Sequence, residues 1–600
     1  MIVQELLFPN FETCATYEMY FRINQEDKRA YYAPEEHAVH MGSWQYLYAD
    51  TYFNYFSVGR WRKYTRLDNL TLQLELKGSF HIQLVHKYAM NTDSYMNTFA
   101  ERVCRLDERG TVELKIPLEK FDRGIVCFLL DSLEEEDNVF YGGRFVTDVD
   151  ESALNRVDIA IDICTFKRES FVERNIALLN AEIIQNPRNP VNGHLEVFIS
   201  DNGQTLDVPR LQSDCVHIFP NKNVGGAGGF ARGMIEILDY QEKRPFSHVL
   251  VMDDDVLINT DAIVRTYRLL QFLKPEFAGK TVAGAMLRLD NRFIQHECGG
   301  WWDGNEVHPC KTFLDLINID DVLRNEREDL PNYNAWWYSC IPIGKISNEN
   351  LPLPIFIRFD DVEFGLRTGS DIITLGGICL WHEPFEYKYS SSMEYYHMRN
   401  GLIVDAFHRP GYDGKAAAGH MMQMIKSNLG RYRYTNCELI LRAAEDFRKG
   451  PRFLLDSDGE ALHKEIMAAA DKFQPLKKLD VQFDEQTYLD SFKRERIRWR
   501  LLRLLTLNKM ILPARGTNVV DATMCNTKDF AGRKRVLNYD VSGGRGFVSE
   551  YSLKRTLGML LKARKAARAL KQDHARVCEE YRQAQKELTS REFWNKYLNL

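Results

Sequence analysis

The sequence lacks the cysteine spacings that mark structural zinc sites and redox motifs. Its 12 cysteines are scattered along 600 residues, no CxxC pattern occurs, and no two cysteines have the close spacing of zinc ligands. Cysteines dispersed in this way are typical of small buried side chains in a reducing compartment. We therefore expect reduced, structural cysteines.

Long hydrophobic runs and a strong excess of one charge are also missing. No apolar run approaches the ~18 residues of a membrane-spanning helix, and the amino terminus MIVQELLFPNFET has no basic or continuous apolar region typical of a secretory signal. Lys and Arg number 78 against 84 Asp and Glu, a net charge of −6. This balance argues against a polyanion binder. We expect a cytoplasmic protein that does not bind nucleic acid.

Three zones of different patterning divide the chain. Residues 1–150 hold alternating or apolar runs of strand length between turn residues, which predict a β-sandwich or barrel domain. Residues 151–405 alternate strand-like and helix-like runs, which predict an α/β domain with a mostly parallel sheet. Residues 406–600 carry long amphipathic runs, which predict a mostly α-helical domain.

Aromatic side chains are concentrated near the amino terminus. The segment 44–61, WQYLYADTYFNYFSVGRW, holds eight aromatic residues in 18 positions. Such a cluster forms either core and interface packing or a surface on which sugar rings stack. The sequence leaves both interpretations open.

The strongest chemical signal is the acidic triplet Asp253–Asp255, which follows the apolar run HVLVM. Residues at the carboxyl end of a buried parallel strand lie at the ligand edge of the sheet. Adjacent carboxylates repel one another, and their pKa values rise unless a cation lies among them. Carboxylate oxygens are suitable ligands for Mg²⁺ or Mn²⁺. The triplet therefore predicts a divalent-metal site, and the alternative is a solvated acidic turn.

Three further strand ends carry candidate ligand-binding residues. Thr165–Arg168 ends the opening strand and offers backbone N–H groups and cations to a phosphate or a base edge. Asp201–Gly203 closes the next strand and could hold a ribose or a base. The loop Asn221–Gly229 is rich in glycine, so its backbone can approach a ligand closely. It is neither a P-loop nor GxGxxG, and therefore predicts neither an ATPase nor a dehydrogenase.

A second acidic cluster and two other motifs lie downstream. Asp360, Asp361 and Glu363 follow the apolar run LPLPIFIRF, and His382 comes 21 residues after Asp361. A histidine can complete a metal site that already has carboxylates, although a lone histidine is more often structural. The adjacent pair Trp336–Trp337 forms either core packing or a platform under an acceptor sugar.

These motifs in this order resemble family 2 glycosyltransferases of the GT-A fold. In detail they are similar to the polymerising galactofuranosyltransferases that build cell-wall or capsular galactan. The resemblance rests on NVGGAGGFARGM, MDDDV, NAWWYSCIP, IRFDDVEFGLR and WHEPF. It implies a Rossmann-like GT-A catalytic domain in the centre, a β-sandwich domain before it and a helical domain after it.

The resemblance also implies substrates and site residues. It implies a UDP-sugar donor, Mn²⁺ or Mg²⁺, an oligosaccharide or lipid-linked glycan acceptor, and assembly as a homo-oligomer. The implied roles fall into four groups: Thr165, Phe166, Arg168, Asp201, Asn223, Asp254 and His397 at the donor nucleotide and its phosphates; Asp253, Asp255 and His382 at the metal; Asp361 as general base with Asp360 beside it; and Glu297, Trp336 and Trp337 at the acceptor.

The leading hypothesis is an inverting glycosyltransferase, because a single base and direct displacement at the anomeric carbon invert its configuration. UDP-galactofuranose is the favoured donor. The alternatives are another hexosyl or rhamnosyl transferase of the same fold, a nucleotidyltransferase or Mg²⁺-dependent phosphotransferase, and a non-catalytic glycan-binding or assembly scaffold.

One segment suggests contact with a membrane. Residues 493–509, KRERIRWRLLRLLTLNK, hold seven basic residues against one acid, with Trp499 and five leucines interleaved. Such a helix can lie in an anionic membrane interface. The alternative is a basic helix that packs on the body of the protein. The first interpretation predicts peripheral attachment to the inner face of the plasma membrane.

Overall fold

The computed structural model describes residues 1–24, 26–134, 137–304, 306–369, 371–387, 389–495, 497–506, 508 and 513–600, without the side chains of residues 498, 499, 502 and 504. Within these ranges no helix combines the length and the apolar character that crossing a membrane requires. All 12 cysteines are free.

An antiparallel sheet forms the amino-terminal region. Its strands in the described residues are β1 (Ile2–Glu5), β2 (Arg22–Ile23), β3 (Ala30–Ala33), β4 (Ala38–Met41), β5 (Tyr46–Tyr48), β6 (Leu70–Met90), β7 (Asp93–Ile116), β8 (Ile125–Ser132) and β9 (Asn138–Val146). One edge of β6 pairs with β7, whereas the other pairs with β9 over its first half and with β8 over its second. This division bends the sheet into a barrel-like arrangement and confirms the predicted β-rich region.

Gly78 lies where β6 changes partners, and its backbone has a φ of 106°. A Cβ atom there would lie 2.3 Å from Oδ1 of Asn138, so glycine is required by both the conformation and the close contact.

The aromatic segment 44–61 is mostly core. Helix α1 (Val58–Tyr64) lies at its end, and the side chains of Tyr52, Tyr55 and Trp61 are almost completely buried. Tyr55 donates a hydrogen bond of 2.7 Å to Glu326 Oε1 in the following region. The interpretation as core and interface packing therefore holds for this part of the segment, and a sugar-stacking surface is excluded there.

The central region is α/β. Its strands are β10 (Ile159–Thr165), β11 (Leu195–Asp201), β12 (Val216–Pro220), β13 (His248–Asp253), β14 (Leu257–Ile258), β15 (Thr281–Arg288), β16 (Ile294–Glu297), β17 (Gly300–Trp302), β18 (Val307–Pro309), β19 (Leu314–Asp315), β20 (Tyr338–Pro342) and β21 (Ile372–His382). Its helices are α2 (Glu169–Leu179), α3 (Val208–Leu211), α4 (Gly225–Tyr240), α5 (Asp261–Phe272), α6 (Ile319–Asn325), α7 (Asp360–Thr368) and α8 (Met393–His408).

The main central sheet has the order β12-β11-β10-β13-β20-β15-β16-β19, and β21 pairs with both β14 and β15. Strands β12, β11, β10 and β13 are parallel to one another, and β20 is antiparallel to its neighbours β13 and β15. Because Thr165 pairs with Asp201 and Cys164 with Asp253, the carboxyl ends of three strands lie side by side. The residues predicted to bind the donor and the metal lie at these strand ends or directly after them.

The carboxyl-terminal region is mostly helical in the described residues. Its helices are α9 (Gly414–Gly430), α10 (Tyr434–Arg448), α11 (Arg452–Asp456), α12 (Gly459–Ala469), α13 (Glu485–Ser491), α14 (Ile497–Leu505), α15 (Thr527–Phe530), α16 (Leu553–Leu588) and α17 (Arg591–Leu598). It also contains a small sheet that the sequence analysis did not anticipate, with strands β22 (Gln474–Pro475), β23 (Thr517–Asp521), β24 (Arg535–Asp540) and β25 (Arg545–Glu550).

The helical region and the central region share packed surfaces. Helix α8 contains the predicted boundary at 405, and Tyr395 and Ile403 on this helix belong to the core of the helical region. Trp594 of α17 is fully buried and donates a hydrogen bond of 2.9 Å to the carbonyl oxygen of Pro352, just before α7. The last helix of the chain therefore supports the segment that precedes the second acidic cluster.

Candidate active site

Two strand ends bring three potential metal ligands together. Asp253 ends β13, Asp255 lies in the link from β13 to β14, and His382 ends β21. Strand β14 pairs with β21 next to His382, so the short link carries Asp255 toward the histidine. One ligand atom from each residue lies within 4.8 Å of the other two, and His382 Nε2 is 3.2 Å from Asp255 Oδ1. Two carboxylates and an imidazole fit Mn²⁺ or Mg²⁺.

The middle acid of the triplet has a different environment. Thr165 Oγ1 donates a hydrogen bond of 2.6 Å to Asp254 Oδ2, and Arg168 Nη1 lies 3.3 Å from Asp254 Oδ1. Burial raises the pKa of Asp254, and the bond from Thr165 and the charge of Arg168 oppose that rise. Asp254 therefore holds the end of β10 rather than joining the three grouped ligand atoms.

Arg168 links this pair to the candidate metal ligands. Its Nη1 also forms an ion pair with Asp255 Oδ2, and its side chain remains 41% exposed. Burial lowers the pKa of Arg168, but Asp255 and Asp254 outweigh this and raise it overall. The guanidinium is thus a fixed positive charge beside the candidate metal site, where a diphosphate could bind.

Other predicted donor residues surround the same strand ends. Asp201 is buried, and its carboxylate accepts hydrogen bonds from the backbone N–H groups of Gly203, Thr205 and Leu206 at 2.8–3.0 Å. Phe166 is 43% exposed, so its ring is accessible at this strand end, and its contact with the donor stays a prediction. Asn223 Oδ1 accepts a hydrogen bond of 3.2 Å from the backbone of Gly225, so it shapes the start of α4.

Asp360 and Asp361 form the first turn of α7. Loss of solvent raises the pKa of Asp360 to about 8 and that of Asp361 to about 6. The charge of Asp361 contributes to the shift of Asp360, and that of Asp253 adds a smaller effect, so Asp253 lies within electrostatic reach of Asp360. Both shifts are upward, so the pair favours the retention of a proton at neutral pH, and the two groups titrate together.

Glu297 lies next to this acid pair. Burial raises the pKa of Glu297 to about 8, and the negative charge of Asp361 adds to the shift. Glu297 ends β16, so a sheet edge presents it to the first turn of α7. The carboxyl groups of the predicted acceptor residue and the predicted base are therefore close enough for their charges to interact.

Two neighbours of the acid pair were missed in the sequence analysis. Burial and then the charges of Asp361 and Glu297 raise the pKa of Tyr333, which is 3% exposed. The charge of Arg358 lowers the pKa of Asp361 against the larger effect of burial. Arg358 could have been noticed because it comes two residues before Asp360, whereas no sequence pattern singles out Tyr333.

The two predicted acceptor tryptophans are buried. Trp336 is 5% exposed and packs edge-on against Phe230 and Phe364, with ring centroids 5.2 and 5.7 Å away. Trp337 is 4% exposed, and its Nε1 donates a hydrogen bond of 3.1 Å to the carbonyl oxygen of Gly284. This burial is typical of core side chains, and their role at the acceptor stays a prediction.

His397 lies on α8, beside a cavity. Its Nδ1 is 3.3 Å from Arg358 Nη2, and its ring packs edge-on against Phe359 at 5.3 Å. The cavity has a volume of about 340 Å³ and is also lined by Phe385, whose ring contacts that of His382 at 5.3 Å. Phe385 therefore borders the cavity and also contacts His382.

The described part of the basic segment 493–509 forms α14. Its Ile497, Leu501 and Leu505 side chains are 78%, 56% and 81% exposed, an apolar stripe at helical spacing. The structure does not describe residues 496, 507 and 509 or the side chains of residues 498, 499, 502 and 504. The predicted membrane contact of Trp499 therefore lies outside the described residues.

Known proteins were compared with the chain. The model of the family described as galactofuranosyltransferase 2, N-terminal, matches residues 3–148. Galactofuranosyltransferase GlfT2 of Mycolicibacterium smegmatis is 27% identical over 465 residues, which cover 73% of this chain and 69% of that protein. Its counterpart in Mycobacterium tuberculosis is 26% identical over 466 residues, which cover 73% and 70%. These matches confirm the predicted resemblance and the prediction of a glycosyltransferase enzyme.

Among solved structures, a mannosyltransferase of Pyrobaculum calidifontis in complex with GDP-Man and Mn²⁺ aligns with 54% of this chain and 82% of its own. The sequence identity is 13% and the TM-score is 0.27, too low to support an argument about the fold.

Proposed function

From this likeness to galactofuranosyltransferases, we propose that the protein is an inverting, metal-dependent glycosyltransferase. It transfers galactofuranose from UDP-galactofuranose to a growing glycan in cell-wall, capsule or O-antigen polysaccharide synthesis. The observation that carries the proposal is the meeting of the Asp253, Asp255 and His382 ligand atoms within 4.8 Å, beside an acid pair with raised pKa values. The first group would hold a metal at the diphosphate, and the acid pair would take the proton of the acceptor hydroxyl. Transfer of a sugar from a diphosphate to a hydroxyl needs both tasks.

The proposed architecture is that of a GT-A enzyme. The parallel strands β12, β11, β10 and β13 form the nucleotide-binding half, with the donor at their carboxyl ends. Residues 1–150 form the β-sandwich or barrel domain, residues 151–405 the catalytic domain and residues 406–600 the helical domain. The shared core around α8 supports a rigid connection between the last two.

Donor binding takes place at the strand ends. Asp253, Asp255 and His382 would hold Mn²⁺ or Mg²⁺, which would neutralise charge on the UDP diphosphate. Arg168, already placed beside Asp255, stabilises the departing diphosphate by its fixed positive charge. The exposed ring of Phe166 and the strand end at Thr165 and Asp201 contact the uridine. Asn223 and His397 complete the contacts to the nucleotide and its phosphates.

The acid pair carries the proton transfer. Asp361 accepts the proton of the acceptor hydroxyl as that oxygen attacks the anomeric carbon, and general-base catalysis contributes ~10²–10⁴ in rate. Asp360, with a pKa of about 8, keeps its proton at neutral pH and orients the acceptor through a hydrogen bond. Glu297, whose carboxyl group lies near Asp361, holds the neighbouring sugar hydroxyls, and Trp337 also contacts the acceptor.

The function is tested in two steps. Titration calorimetry with UDP, in the presence and absence of Mn²⁺, is expected to give tight binding only with the metal. A panel of UDP-sugars with a galactan oligosaccharide acceptor then identifies the donor, and transfer from UDP-galactofuranose is expected. Exclusive use of a different nucleotide sugar would replace the galactofuranose assignment. Absence of transfer together with metal-independent UDP binding would contradict the glycosyltransferase mechanism.

We also propose peripheral membrane contact through α14, which would bring the enzyme to a lipid-linked acceptor. The exposed stripe of Ile497, Leu501 and Leu505 among basic residues suits an anionic interface. Liposomes containing anionic lipid are expected to float with the protein, and the substitution Leu501→Asp is expected to reduce this binding. Equal flotation with neutral liposomes would contradict the electrostatic part. Light scattering tests the homo-oligomeric state implied by the resemblance.

A further inference from the structure

The residues just before the acid pair form a turn with unusual backbone geometry. Phe356, Arg358 and Phe359 have φ angles of 76°, 70° and 68°. The left-handed region is unfavourable for bulky side chains, and each such residue costs on the order of 1–3 kcal/mol. Three of them within four positions persist only where surrounding contacts hold the backbone in place. The contacts that hold this turn therefore decide where α7 begins.

Helix α8 supplies most of these contacts through one side chain. Asn400 is fully buried, and its Nδ2 donates to the carbonyl oxygens of Ile357 at 2.8 Å and Arg358 at 2.9 Å. The same atom lies 3.2 Å from the carbonyl oxygen of Ile355. One amide group thus contacts three of the four carbonyls that lead into Phe359.

The neighbouring Arg399 fixes the orientation of that amide. Arg399 Nε donates a hydrogen bond of 2.9 Å to Asn400 Oδ1, and Arg399 Nη2 donates one of 2.7 Å to the carbonyl oxygen of Ile355. The reverse orientation would direct Asn400 Oδ1 toward three carbonyl oxygens and its N–H groups toward a guanidinium. The donor side of Asn400 must therefore face the turn.

The glycine-rich loop completes the support from the opposite side. The backbone N–H of Ala227 donates a hydrogen bond of 3.1 Å to the carbonyl oxygen of Phe356. A Cβ at Gly225 would lie 2.1 Å from that oxygen, and one at Gly226 would lie 3.5 Å from Asp360 Oδ2. The loop is therefore in direct contact with the turn and lies close to Asp360.

We propose that Asn400, oriented by Arg399, is a positioning residue that sets the place of Asp360 and Asp361. The inference rests on the proposed function, because the base must meet an acceptor hydroxyl. Without the three contacts the turn relaxes from its left-handed geometry, and the first turn of α7 moves with it. A displacement of about 1 Å at a reacting group can lower the rate by about 100-fold.

The test is the nearly isosteric substitution Asn400→Asp in the full-length protein. A carboxylate at this place faces three carbonyl oxygens and cannot donate to them. We expect kcat for transfer to fall by about 100-fold. The affinity for UDP with Mn²⁺ should fall much less than kcat, since the metal ligands stand on β13 and β21 and the turn touches the predicted donor residue His397 only at its edge, through Arg358. Hydrogen–deuterium exchange should accelerate in residues 351–364.

A matched control is Asn538→Asp. Asn538 is also fully buried, and its Nδ2 contacts the carbonyl oxygens of Val536 and Phe547 at 3.3 Å and Ser549 Oγ at 2.9 Å. It belongs to the small carboxyl-terminal sheet. This variant is expected to lower the melting temperature and to keep the wild-type kcat. Arg399→Lys, which keeps a buried cation but loses the fixed orientation, is expected to lower kcat less than Asn400→Asp.

Three outcomes overturn the inference. A wild-type kcat in folded Asn400→Asp, or in the smaller Asn400→Ser if the aspartate variant does not fold, shows that the turn does not depend on the amide. A parallel fall of kcat and UDP affinity shows a general structural role. If the wild-type protein transfers no sugar at all, the proposed function fails instead. The inference is then judged by hydrogen–deuterium exchange alone, and an unchanged exchange rate at residues 351–364 in the variants overturns it.

Discussion

His382 Nε2 lies 3.2 Å from Asp255 Oδ1, although Asp255 lies in the link from β13 to β14 and His382 ends β21. The contact arises because β14, directly after Asp255, pairs with the end of β21. The imidazole and the carboxylate are therefore held in place by the sheet and need little rearrangement to share a cation. This preorganisation is the reason to test both groups as ligands of the proposed metal.

The first prediction concerns metal affinity. Removal of an imidazole ligand in His382→Ala should weaken Mn²⁺ binding by more than about tenfold, since even outer partners of metal ligands contribute 10–100-fold. Mn²⁺ binding is measured by electron paramagnetic resonance, and addition of EDTA should abolish transfer by the wild-type enzyme. His308→Ala, on the β17–β18 hairpin, is the control and should bind Mn²⁺ normally. Unchanged affinity in His382→Ala would exclude this histidine as a ligand.

The second prediction concerns the base. Asp361→Asn removes the group that accepts the acceptor proton and should reduce kcat by ~10²–10⁴. Binding of UDP and Mn²⁺ should remain, because the metal ligands are on other elements. Asp360→Asn preserves a hydrogen-bond donor at the position of a mostly protonated acid, so its kcat should fall less. Near-normal turnover by Asp361→Asn would contradict the assignment.

The third prediction is a pH dependence. Burial raises the pKa of Asp361 to about 6, while Arg358 opposes the shift. A general base acts in its ionised form, so kcat/KM should decrease as the pH falls through about 6. In Arg358→Met the opposing positive charge is absent, and the acid limb should move to higher pH. If the acid limb of the pH profile stays in place or moves to lower pH in this variant, a group other than Asp361 controls it.

The fourth prediction concerns stability. Asp162 is fully buried on β10, and neither carboxyl oxygen has a hydrogen-bond partner in the described structure. Burial raises its pKa well above the ordinary value. The folded protein keeps this proton, whereas the unfolded chain releases it above pH ~3.9. The free energy of unfolding therefore decreases as the pH rises above ~3.9. The loss is about 1.4 kcal/mol for each pH unit up to the pKa of Asp162 in the folded protein.

Asp162→Asn cannot ionise, so it should raise the melting temperature at pH 8, and the gain should shrink toward pH 4. Asp158→Asn is the contrasting variant. Asp158 Oδ2 accepts a hydrogen bond of 3.0 Å from Arg156, and its Oδ1 lies 3.3 Å from Arg244. Loss of that charge should lower the melting temperature at pH 8. A lower melting temperature for both variants would refute the neutral state of Asp162.

The fifth prediction separates the two tryptophans. Trp336 packs between Phe230 and Phe364, so Trp336→Ala should lower stability by about 3–5 kcal/mol, as expected for a buried aromatic ring. Its KM for the acceptor should stay close to normal. Trp337 contacts Phe385, which borders the cavity, and Trp337→Phe should raise the acceptor KM. Unfolding curves and acceptor kinetics distinguish these effects, and the reverse pattern would exchange the two roles.

Much of the site was predictable because its residues follow strands. The apolar run before Asp253 and the one before Thr165 identify strand ends, and parallel strands bring such ends to one edge. The pairing of Thr165 with Asp201 follows from that rule. The small sheet of β22–β25 was not predictable, since its strands are short and lie among helical segments.

The sequence by itself determined the α/β centre, the acidic residues at its strand ends and the resemblance to glycosyltransferases, because local periodicity and short motifs carry this information. Only the tertiary structure decided which neighbours each carboxylate has. It directs Asp254 to Thr165 and Arg168, groups Asp253 and Asp255 with His382, and separates the pKa values of Asp360 and Asp361. The physical reason is that burial and neighbouring charges come from distant segments, which no local pattern records.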